Sequence, residues 1–199
     1  ATTINRNQAT PSLSLRGPAN IVEGFHTTHF SVLDKEGNRV SATLSINLPF
    51  GSAFVAGDTG VLLNNEMDDF SAKPGSPNAY GLIGAEANAI APGKRPLSSM
   101  SPSFVENDQQ VAILGTPGGS RIITMVLLGI LEHVDQQPVE AWVNRPRFHH
   151  QYLPDEIQFE ANTFVEKELE QLKQLGHVLK PRSRPYGNMQ AILWDKTSN

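Results

Sequence analysis

At 199 residues the chain is long enough for one domain with a sizeable core, whereas two independent domains would be crowded. Its formal net charge of -4 provides no basic surface for nucleic acid or for an anionic membrane. The absence of cysteine excludes disulfides, thiolate nucleophiles and cysteine-based metal sites. The longest apolar stretch, residues 125–134, is too short to span a bilayer and predicts a buried helix.

The chain begins with a polar segment and then changes character. Residues 1–26 are rich in Asn, Ser, Thr, Pro and Gly, which is typical of a linker or surface tail. From residue 27 the pattern predicts a half-buried β-hairpin with its turn at residues 34–38. The second strand alternates Val40, Ala42, Leu44 and Ile46 with Ser41, Thr43, Ser45 and Asn47, so that one face is apolar and the other polar.

The remaining segments alternate between strands and helices. Residues 61–70 predict a short buried strand that runs into a polar turn, and the long Pro- and Gly-rich segment 71–99 is typical of a lid or a binding element. Further strands are predicted at residues 101–108, 109–116, 177–183 and 187–195, and helices at 117–134, 138–145 and 162–176. This order predicts a layered α+β domain whose helices cover an antiparallel sheet.

The candidate nucleophile is Thr27, in the sequence TTHFSV. Cleavage of the His26–Thr27 bond would give this residue an α-amine that is neutral often enough to act as the base for its own hydroxyl. The alternative is a threonine at a strand edge, because Thr-Thr pairs are good strand formers.

The sequence TPGGSR, residues 116–121, supplies a second candidate element. Gly118 and Gly119 allow close approach of a substrate to the backbone, and N–H groups at a helix start can stabilise an oxyanion. A plain helix-entry turn is the alternative. Ser98 and Ser99 are compatible with turn chemistry alone, and the carboxylates of NNEMDDF fit either a cation or ammonium site or a solvated turn.

The sequence FHHQ raises the possibility of a metal site. His149 and His150 are adjacent, and neighbouring residues on a strand point to opposite faces. The pair is therefore predicted not to hold a metal, and no cofactor is expected.

Taken together, the segments ATPS, TTHFSV, NNEMDDFSAKPG, KRPLSSMSP, TPGGSR and NRPRFHHQYLPDE resemble the γ-glutamyltranspeptidase family of N-terminal nucleophile hydrolases, in the family's order. The resemblance implies a four-layer αββα sandwich with antiparallel sheets. It also implies that a precursor cuts itself before Thr27. Residues 1–26 would then be the tail of a large subunit or a pro-segment, and residues 27–199 the small catalytic subunit, truncated at its C-terminus.

The resemblance also implies roles for individual residues. Thr27 would be the nucleophile, with the hydroxyl of Ser45, where the family usually has Thr, bonded to it and Asn47 on the same polar face. The N–H groups of Gly118 and Gly119 would form the oxyanion hole. The substrate would be held by its α-amino group on Glu66 and Asp69, by its α-carboxylate on Ser98 and Ser99, and under a lid in which Tyr80 reaches Asn47. Many bacterial relatives have glutamine where this chain has Glu66.

The function implied is transfer or hydrolysis of γ-glutamyl groups from amides such as glutathione or glutamine, in the periplasm or after secretion. The partner would be the large subunit of the same precursor, which carries the family's carboxylate-binding arginine. Two alternatives stay open on the sequence: a related amidase, such as a cephalosporin acylase or a poly-γ-glutamate depolymerase, and a catalytically silent γ-glutamyl-binding subunit.

Overall fold

The computed structural model describes residues 5, 7–11, 27–73, 75–76 and 84–198. Its strands are β1 (Thr27–Leu33), β2 (Arg39–Ser45), β3 (Ser103–Glu106), β4 (Gln110–Gly115), β5 (Phe148–His149), β6 (Ile157–Phe159), β7 (Leu179–Pro181) and β8 (Gln190–Asp195). Its helices are α1 (Ile122–Val134), α2 (Val139–Asn144) and α3 (Glu166–Gln174). The chain divides into two compact units. The first contains Ala1–Glu23, Met67–Leu97 and Pro146–Pro185; the second contains Gly24–Glu66, Ser98–Arg145 and Tyr186–Asn199.

The second unit begins with the predicted hairpin. Strands β1 and β2 pair antiparallel, with Thr27 opposite Ser45 and Leu33 opposite Arg39. Asp34 closes the turn between them: its Oδ1 accepts hydrogen bonds from the backbone N–H groups of Glu36, at 2.9 Å, and Asn38, at 2.8 Å. An aspartate that bonds to backbone N–H groups a few residues ahead stabilises this kind of turn, so the register of the hairpin is set at its tip.

The exposed face of this hairpin is the apolar one, which is the reverse of the usual arrangement with apolar side chains inside. The hydroxyl-bearing face turns toward the β3–β4–β8 sheet, where Ser41 Oγ donates to the carbonyl of Leu114 at 3.2 Å. The apolar face is exposed in this chain, and its large side chains are Phe30, Val32, Val40 and Leu44. The alternation in the sequence was therefore real, but it did not identify which face lies inside.

The core of the second unit lies between the antiparallel sheet β3–β4–β8 and the helices α1 and α2. Strand β4 is the central strand, and residues 111–114 are completely buried, as its uninterrupted apolar run requires. The core cluster consists of Ala112, Leu114, Ile122, Met125, Val126, Trp142, Tyr186 and Met189. The strands predicted at 101–108 and 109–116 and the helices predicted at 117–134 and 138–145 are thus confirmed as elements, although α1 begins five residues later than predicted.

One predicted strand is wrong. Val61 and Leu63 are exposed, and Leu62 forms only an isolated bridge with Val55. The segment continues into a 3₁₀ turn at Glu66–Asp69 instead of a buried strand. Backbone hydrogen bonds join Val61 and Leu63 to residues 52–56, but they leave both side chains uncovered, so the apolar run is not a buried strand.

The first unit contains a second three-stranded sheet, of order β5–β6–β7. Strands β5 and β6 are antiparallel, but β6 and β7 are parallel, which departs from the purely antiparallel prediction. The reason is α3, which lies between β6 and β7 in the chain, because parallel strands need a crossover connection. Gly176, in the left-handed conformation with φ 95°, follows α3 as predicted.

A buried ion pair stabilises the first unit next to β5 and β6. Arg147 and Glu160 are both buried, with Nη1 and Oε1 3.6 Å apart, and Glu160 Oε2 accepts the backbone N–H of Arg147 at 3.0 Å. The second unit combines helices with antiparallel sheets and the first combines a helix with a mixed sheet, so the α+β class is confirmed. None of the helices in the described ranges is long and apolar enough to cross a membrane.

Candidate active site

The hydroxyls of Thr27 and Ser45 form the centre of the site. Thr27 is the first residue of β1, and its Oγ1 donates to Ser45 Oγ at 3.1 Å across the hairpin. Ser45 Oγ also accepts the backbone N–H of Asn47 at 2.8 Å. The serine hydroxyl therefore fixes the rotamer of the threonine hydroxyl and the start of the loop that follows β2.

Asn47 lies close to Ser45, but not by continuing the strand. Strand β2 ends at Ser45, and Asn47 has a left-handed backbone with φ 69°, a conformation that asparagine adopts more readily than most residues. Its buried side chain donates from Nδ2 to the carbonyl of Asn65 at 3.2 Å. Asn65 in turn accepts the N–H of Leu48 on its Oδ1 at 3.0 Å.

These bonds hold the loop after β2 against Asn65. Glu66 is the next residue in the chain and therefore lies beside this loop. Glu66 Oε1 is buried and, within the described part of the chain, has no hydrogen-bond partner. A buried carboxylate oxygen without a partner carries a desolvation cost, which a ligand that donates a hydrogen bond would remove.

The glycine pair forms the turn between β4 and α1. Gly118 is buried with φ 147°, and a β-carbon there would overlap the terminal methyl of Met125. Gly119 has φ 60° and opens the 3₁₀ turn Gly119–Arg121, yet a β-carbon there would meet nothing within 4 Å. Gly118 therefore packs against the protein, while one side of Gly119 is open.

The packing of β1 against β4 relates the glycine turn to Thr27. Ser31 Oγ donates to the carbonyl of Ile113 at 3.5 Å, and His29 lies against Gly115. Each step of two residues back along β1 is therefore a step of two residues forward along β4. Thr27 lies two residues further back on β1, in the direction in which β4 ends at Gly115 and leads into the glycine turn.

His29 is not among the residues predicted for the site, although it lies on the same face of β1 as Thr27. Its ring is buried, with Nδ1 2.8 Å from Thr43 Oγ1 and Nε2 3.2 Å from Ser31 Oγ. Burial lowers the pKa of His29 below its ordinary value of 6.5, so the neutral imidazole is favoured. The spacing of two residues from Thr27 was the signal in the sequence, since alternate residues of a strand share a face.

The other predicted substrate-binding residues lie in loops. Ser98 Oγ accepts the N–H of Met100 at 3.2 Å, and the carbonyl of Ser99 accepts the hydroxyl of Ser101 at 3.1 Å. Asp69 ends the 3₁₀ turn that begins at Glu66, and its carbonyl accepts the side-chain amide of Asn88 at 2.7 Å. Tyr80 and the middle of the predicted lid lie outside the described residues.

The adjacent histidines each have a separate protein partner. His149 is buried, with Nε2 2.8 Å from Gln151 Oε1, and the more exposed His150 has its Nε2 3.0 Å from Asp155 Oδ1. Within the ranges that the structure describes, no three His, Cys, Asp or Glu side chains are grouped to hold a metal ion.

A threonine at the start of a strand, with a hydroxyl partner on the next strand and a glycine turn at the end of a facing sheet, is typical of hydrolases with an N-terminal nucleophile. The family model described as gamma-glutamyltranspeptidase matches residues 1–198, and the chain belongs to that family.

Relatives and solved structures agree with this assignment. The chain is 53% identical over 160 residues to a glutathione hydrolase proenzyme of Escherichia coli (strain K12), which covers 79% of this chain and 28% of the relative. An acivicin-inhibited γ-glutamyltranspeptidase has a TM-score of 0.80 at 46% identity, covering 86% of this chain and 92% of that one. For the T380A mutant of the Helicobacter pylori enzyme the TM-score is 0.78 at 47% identity, with coverage of 83% and 89%. The chain spans 24–32% of the bacterial glutathione hydrolase proenzymes that it matches.

Proposed function

We propose that this chain forms the catalytic part of a γ-glutamyl transferase and hydrolase, which cleaves γ-glutamyl amides such as glutathione or glutamine through an acyl-enzyme on Thr27. The single observation that carries the proposal is the 3.1 Å hydrogen bond from Thr27 Oγ1 to Ser45 Oγ at the start of β1, in a chain of this family. A hydroxyl held in one rotamer at a strand terminus is oriented for attack before the substrate binds.

The first step is cleavage of the chain between His26 and Thr27. Scission there frees an α-amine on the residue that carries the nucleophilic hydroxyl. The solved chains support a break of this kind, because the match covers 92% of a solved chain but 28% of a proenzyme. That solved chain is thus a much shorter polypeptide than the proenzyme.

The proposed chemistry assigns a role to each of these groups. The Thr27 hydroxyl attacks the γ-carbonyl, its proton passes to the α-amine, and the N–H groups of Gly118 and Gly119 stabilise the oxyanion. The amine of the leaving group takes the proton as the tetrahedral intermediate collapses to an ester on Thr27. Water or the amine of an amino acid or peptide then attacks the ester and regenerates the hydroxyl.

The head of the substrate is recognised by its two charged groups. Glu66 and Asp69 bind the α-ammonium. The buried Oε1 of Glu66, which has no hydrogen-bond partner among the described residues, supports this role because an ammonium supplies a hydrogen bond to it. Ser98 and Ser99 bind the α-carboxylate. Asn47 would contact a residue of the lid, for which the family suggests Tyr80.

The chain acts together with the large subunit of the same precursor, which adds the layers that complete a four-layer αββα sandwich. The exposed apolar face of the hairpin, with Phe30, Val32, Val40 and Leu44, supports a further protein layer there, because a contiguous apolar surface is unfavourable in water. Residues 1–26 belong to the upstream product, and residues 27–199 to the small subunit. By analogy with its family, we expect the enzyme in the periplasm or outside the cell.

The proposal is tested with full-length protein and two anilide substrates. Wild-type protein should release aniline from a γ-glutamyl anilide, and Thr27→Ala should abolish this activity while Thr28→Ala, on the exposed opposite face of β1, keeps it. The glutaryl anilide, which lacks the α-amino group, should be a poor substrate. Preference for the glutaryl compound would indicate an acylase instead. Ligand binding without turnover, and without labelling of Thr27 by a γ-glutamyl electrophile, would indicate a silent binding subunit.

A further inference from the structure

The turn at residues 186–188 lies behind the glycine pair and has no role in the scheme above. Gly115, the last residue of β4, pairs with Gln190, the first residue of β8. The turn that leaves β4 and the turn that enters β8 therefore emerge at the same end of the sheet. Residues 116–121 carry the proposed oxyanion hole, so the 186–188 turn is positioned to support it from inside the second unit.

Thr116 is the first contact between the two turns. Its side chain is completely buried, its hydroxyl donates to the carbonyl of Pro117 at 2.8 Å, and the same oxygen accepts the N–H of Asn188 at 3.1 Å. Pro117 has no N–H of its own and precedes Gly118. The hydroxyl thus fixes the peptide that leads into the glycine pair by a bond to the backbone of the other turn.

Met125 forms the second contact. A β-carbon at Gly118 would overlap its terminal methyl, and a β-carbon at Gly187 would overlap its sulfur and lie 3.1 Å from Thr116 Oγ1. Both glycines therefore pack on one buried methionine of α1 with no room for a side chain. The two backbones approach to a degree that only glycine permits, and Gly187 also requires its positive φ of 74°.

The third contact is between Arg121 and Tyr186. The guanidinium carbon of Arg121 lies 4.4 Å from the centroid of the Tyr186 ring, and both side chains are 1% exposed. Arg121 ends the 3₁₀ turn that Gly119 opens. A cation over an aromatic face is attracted strongly when both are removed from water, so this stack holds the far end of the glycine turn.

We propose that Thr116, Tyr186 and the Gly187–Asn188 backbone are positioning residues for the oxyanion hole, which they hold in the geometry of the tetrahedral intermediate. This inference rests on the function proposed above for Gly118 and Gly119. It assigns the 186–188 turn a kinetic role. A misplaced N–H donor of the oxyanion hole would weaken binding of the tetrahedral intermediate more than binding of the substrate.

The test compares Thr116→Val, which keeps the shape but removes the hydroxyl as both donor and acceptor, with Thr116→Ser, which keeps the hydroxyl. Full-length processed enzyme is assayed with a γ-glutamyl anilide. The affinity of a γ-glutamyl boronic acid, which forms a tetrahedral adduct, is measured beside that of L-glutamate. We expect Thr116→Val to lower kcat by on the order of 10-fold to 100-fold and to weaken the boronic acid by a similar factor. Affinity for glutamate should change less than about twofold, and Thr116→Ser should be close to wild type.

A second pair tests the aromatic stack. Tyr186→Leu removes the ring, and Tyr186→Phe retains it together with the contact to Arg121. We expect the leucine variant to show the same selective loss of boronic acid affinity and the phenylalanine variant to retain most of it. A lowered melting temperature with unchanged kcat and unchanged boronic acid affinity in Thr116→Val and Tyr186→Leu would overturn the proposal, since that is the result of a purely structural role.

Hydrogen exchange separates this inference from the proposed function. In Thr116→Val, but not in Thr116→Ser, the peptide that spans residues 116–121 should exchange faster than in wild type, whether or not the enzyme is active. An inactive wild type would contradict the proposed function alone. Unchanged exchange of that peptide in Thr116→Val would contradict the positioning role alone.

Discussion

The ring of His29 lies so close to the backbone of Gly115 that a β-carbon at position 115 would overlap all three ring atoms nearest to it. This contact joins the hairpin that carries Thr27 to the strand that leads into the glycine turn. It also belongs to the packing that runs along β1 toward Thr27 and along β4 toward the glycine turn.

Gly115→Ala should destabilise the protein by about 1–3 kcal/mol, because the new methyl meets a buried ring that is hydrogen-bonded on both nitrogens and cannot move away easily. Gly129→Ala is the matched control. A β-carbon there lies 2.9 Å from the end of Met189 and 3.1 Å from Leu114 Cδ1, both of them ends of side chains that can rotate, and alanine favours a helix over glycine by about 1 kcal/mol. Urea unfolding should therefore show a clear loss for residue 115 and a near-neutral change for residue 129. Equal losses would contradict the rigid His29 contact.

The stability of the protein should depend on the protonation of His29. Burial lowers its pKa in the folded state, whereas the unfolded chain has a pKa near 6.5. Below pH 6.5 the unfolded chain binds a proton that the folded chain does not, so the free energy of unfolding falls as the pH is lowered toward the folded pKa, by at most about 1.4 kcal/mol per pH unit. His29→Asn, which can keep a bond to Thr43, should lose this component. A wild-type-minus-variant difference that stays constant between pH 7.5 and 5.5 would show that His29 does not titrate in this way.

Ser45→Ala should slow acylation more than it affects stability. The substitution removes the acceptor of the Thr27 hydroxyl, and a hydrogen bond worth about 0.5–1.5 kcal/mol corresponds to a rate loss of roughly 2-fold to 13-fold. Ser41→Ala is the control, since Ser41 lies on the same face of β2 but donates to the carbonyl of Leu114. Single-turnover release of aniline measures the step. Comparable rates for the two variants would contradict the orienting role of Ser45.

The sequence was a good guide to the elements and a poor one to their environment. The hairpin, the strands β3, β4 and β8 and all three helices follow from periodicity and turn residues. The exposed apolar face of the hairpin does not, because alternation reports two faces and not which of them is covered. The prediction at residues 61–63 was wrong for the same reason: these residues pair with residues 52–56, but their sequence does not show that the apolar side chains stay exposed.

In the candidate site, too, some relationships could be predicted from the sequence and others could not. The pairing of Thr27 with Ser45 follows from the turn that sets the hairpin register, so the sequence could anticipate it. The left-handed bend at Asn47 and the contact of His29 with Gly115 could not be anticipated, because they depend on Asn65 and on a facing sheet distant in the chain. Long-range packing of this kind leaves no periodic signal.

The ion pair of the first unit gives an independent prediction. Arg147→Met should destabilise the protein by about 3–5 kcal/mol, because Glu160 would be left as a buried charge that has lost its cation. Lys35→Met is the control: Lys35 lies 3.5 Å from Glu36 with its side chain 89% exposed, and exposed pairs contribute little. Thermal and urea unfolding compare the two. A loss below about 1 kcal/mol for Arg147→Met would contradict the importance of this pair.

The account depends most directly on the bond before Thr27, which intact-mass measurement and N-terminal sequencing of the purified full-length protein examine together. For the wild type we predict two polypeptides, one of which begins Thr-Thr-His-Phe, and for Thr27→Ala a single uncut chain without activity on the γ-glutamyl anilide. Wild-type protein that turns over this substrate while the His26–Thr27 bond remains intact would contradict the account.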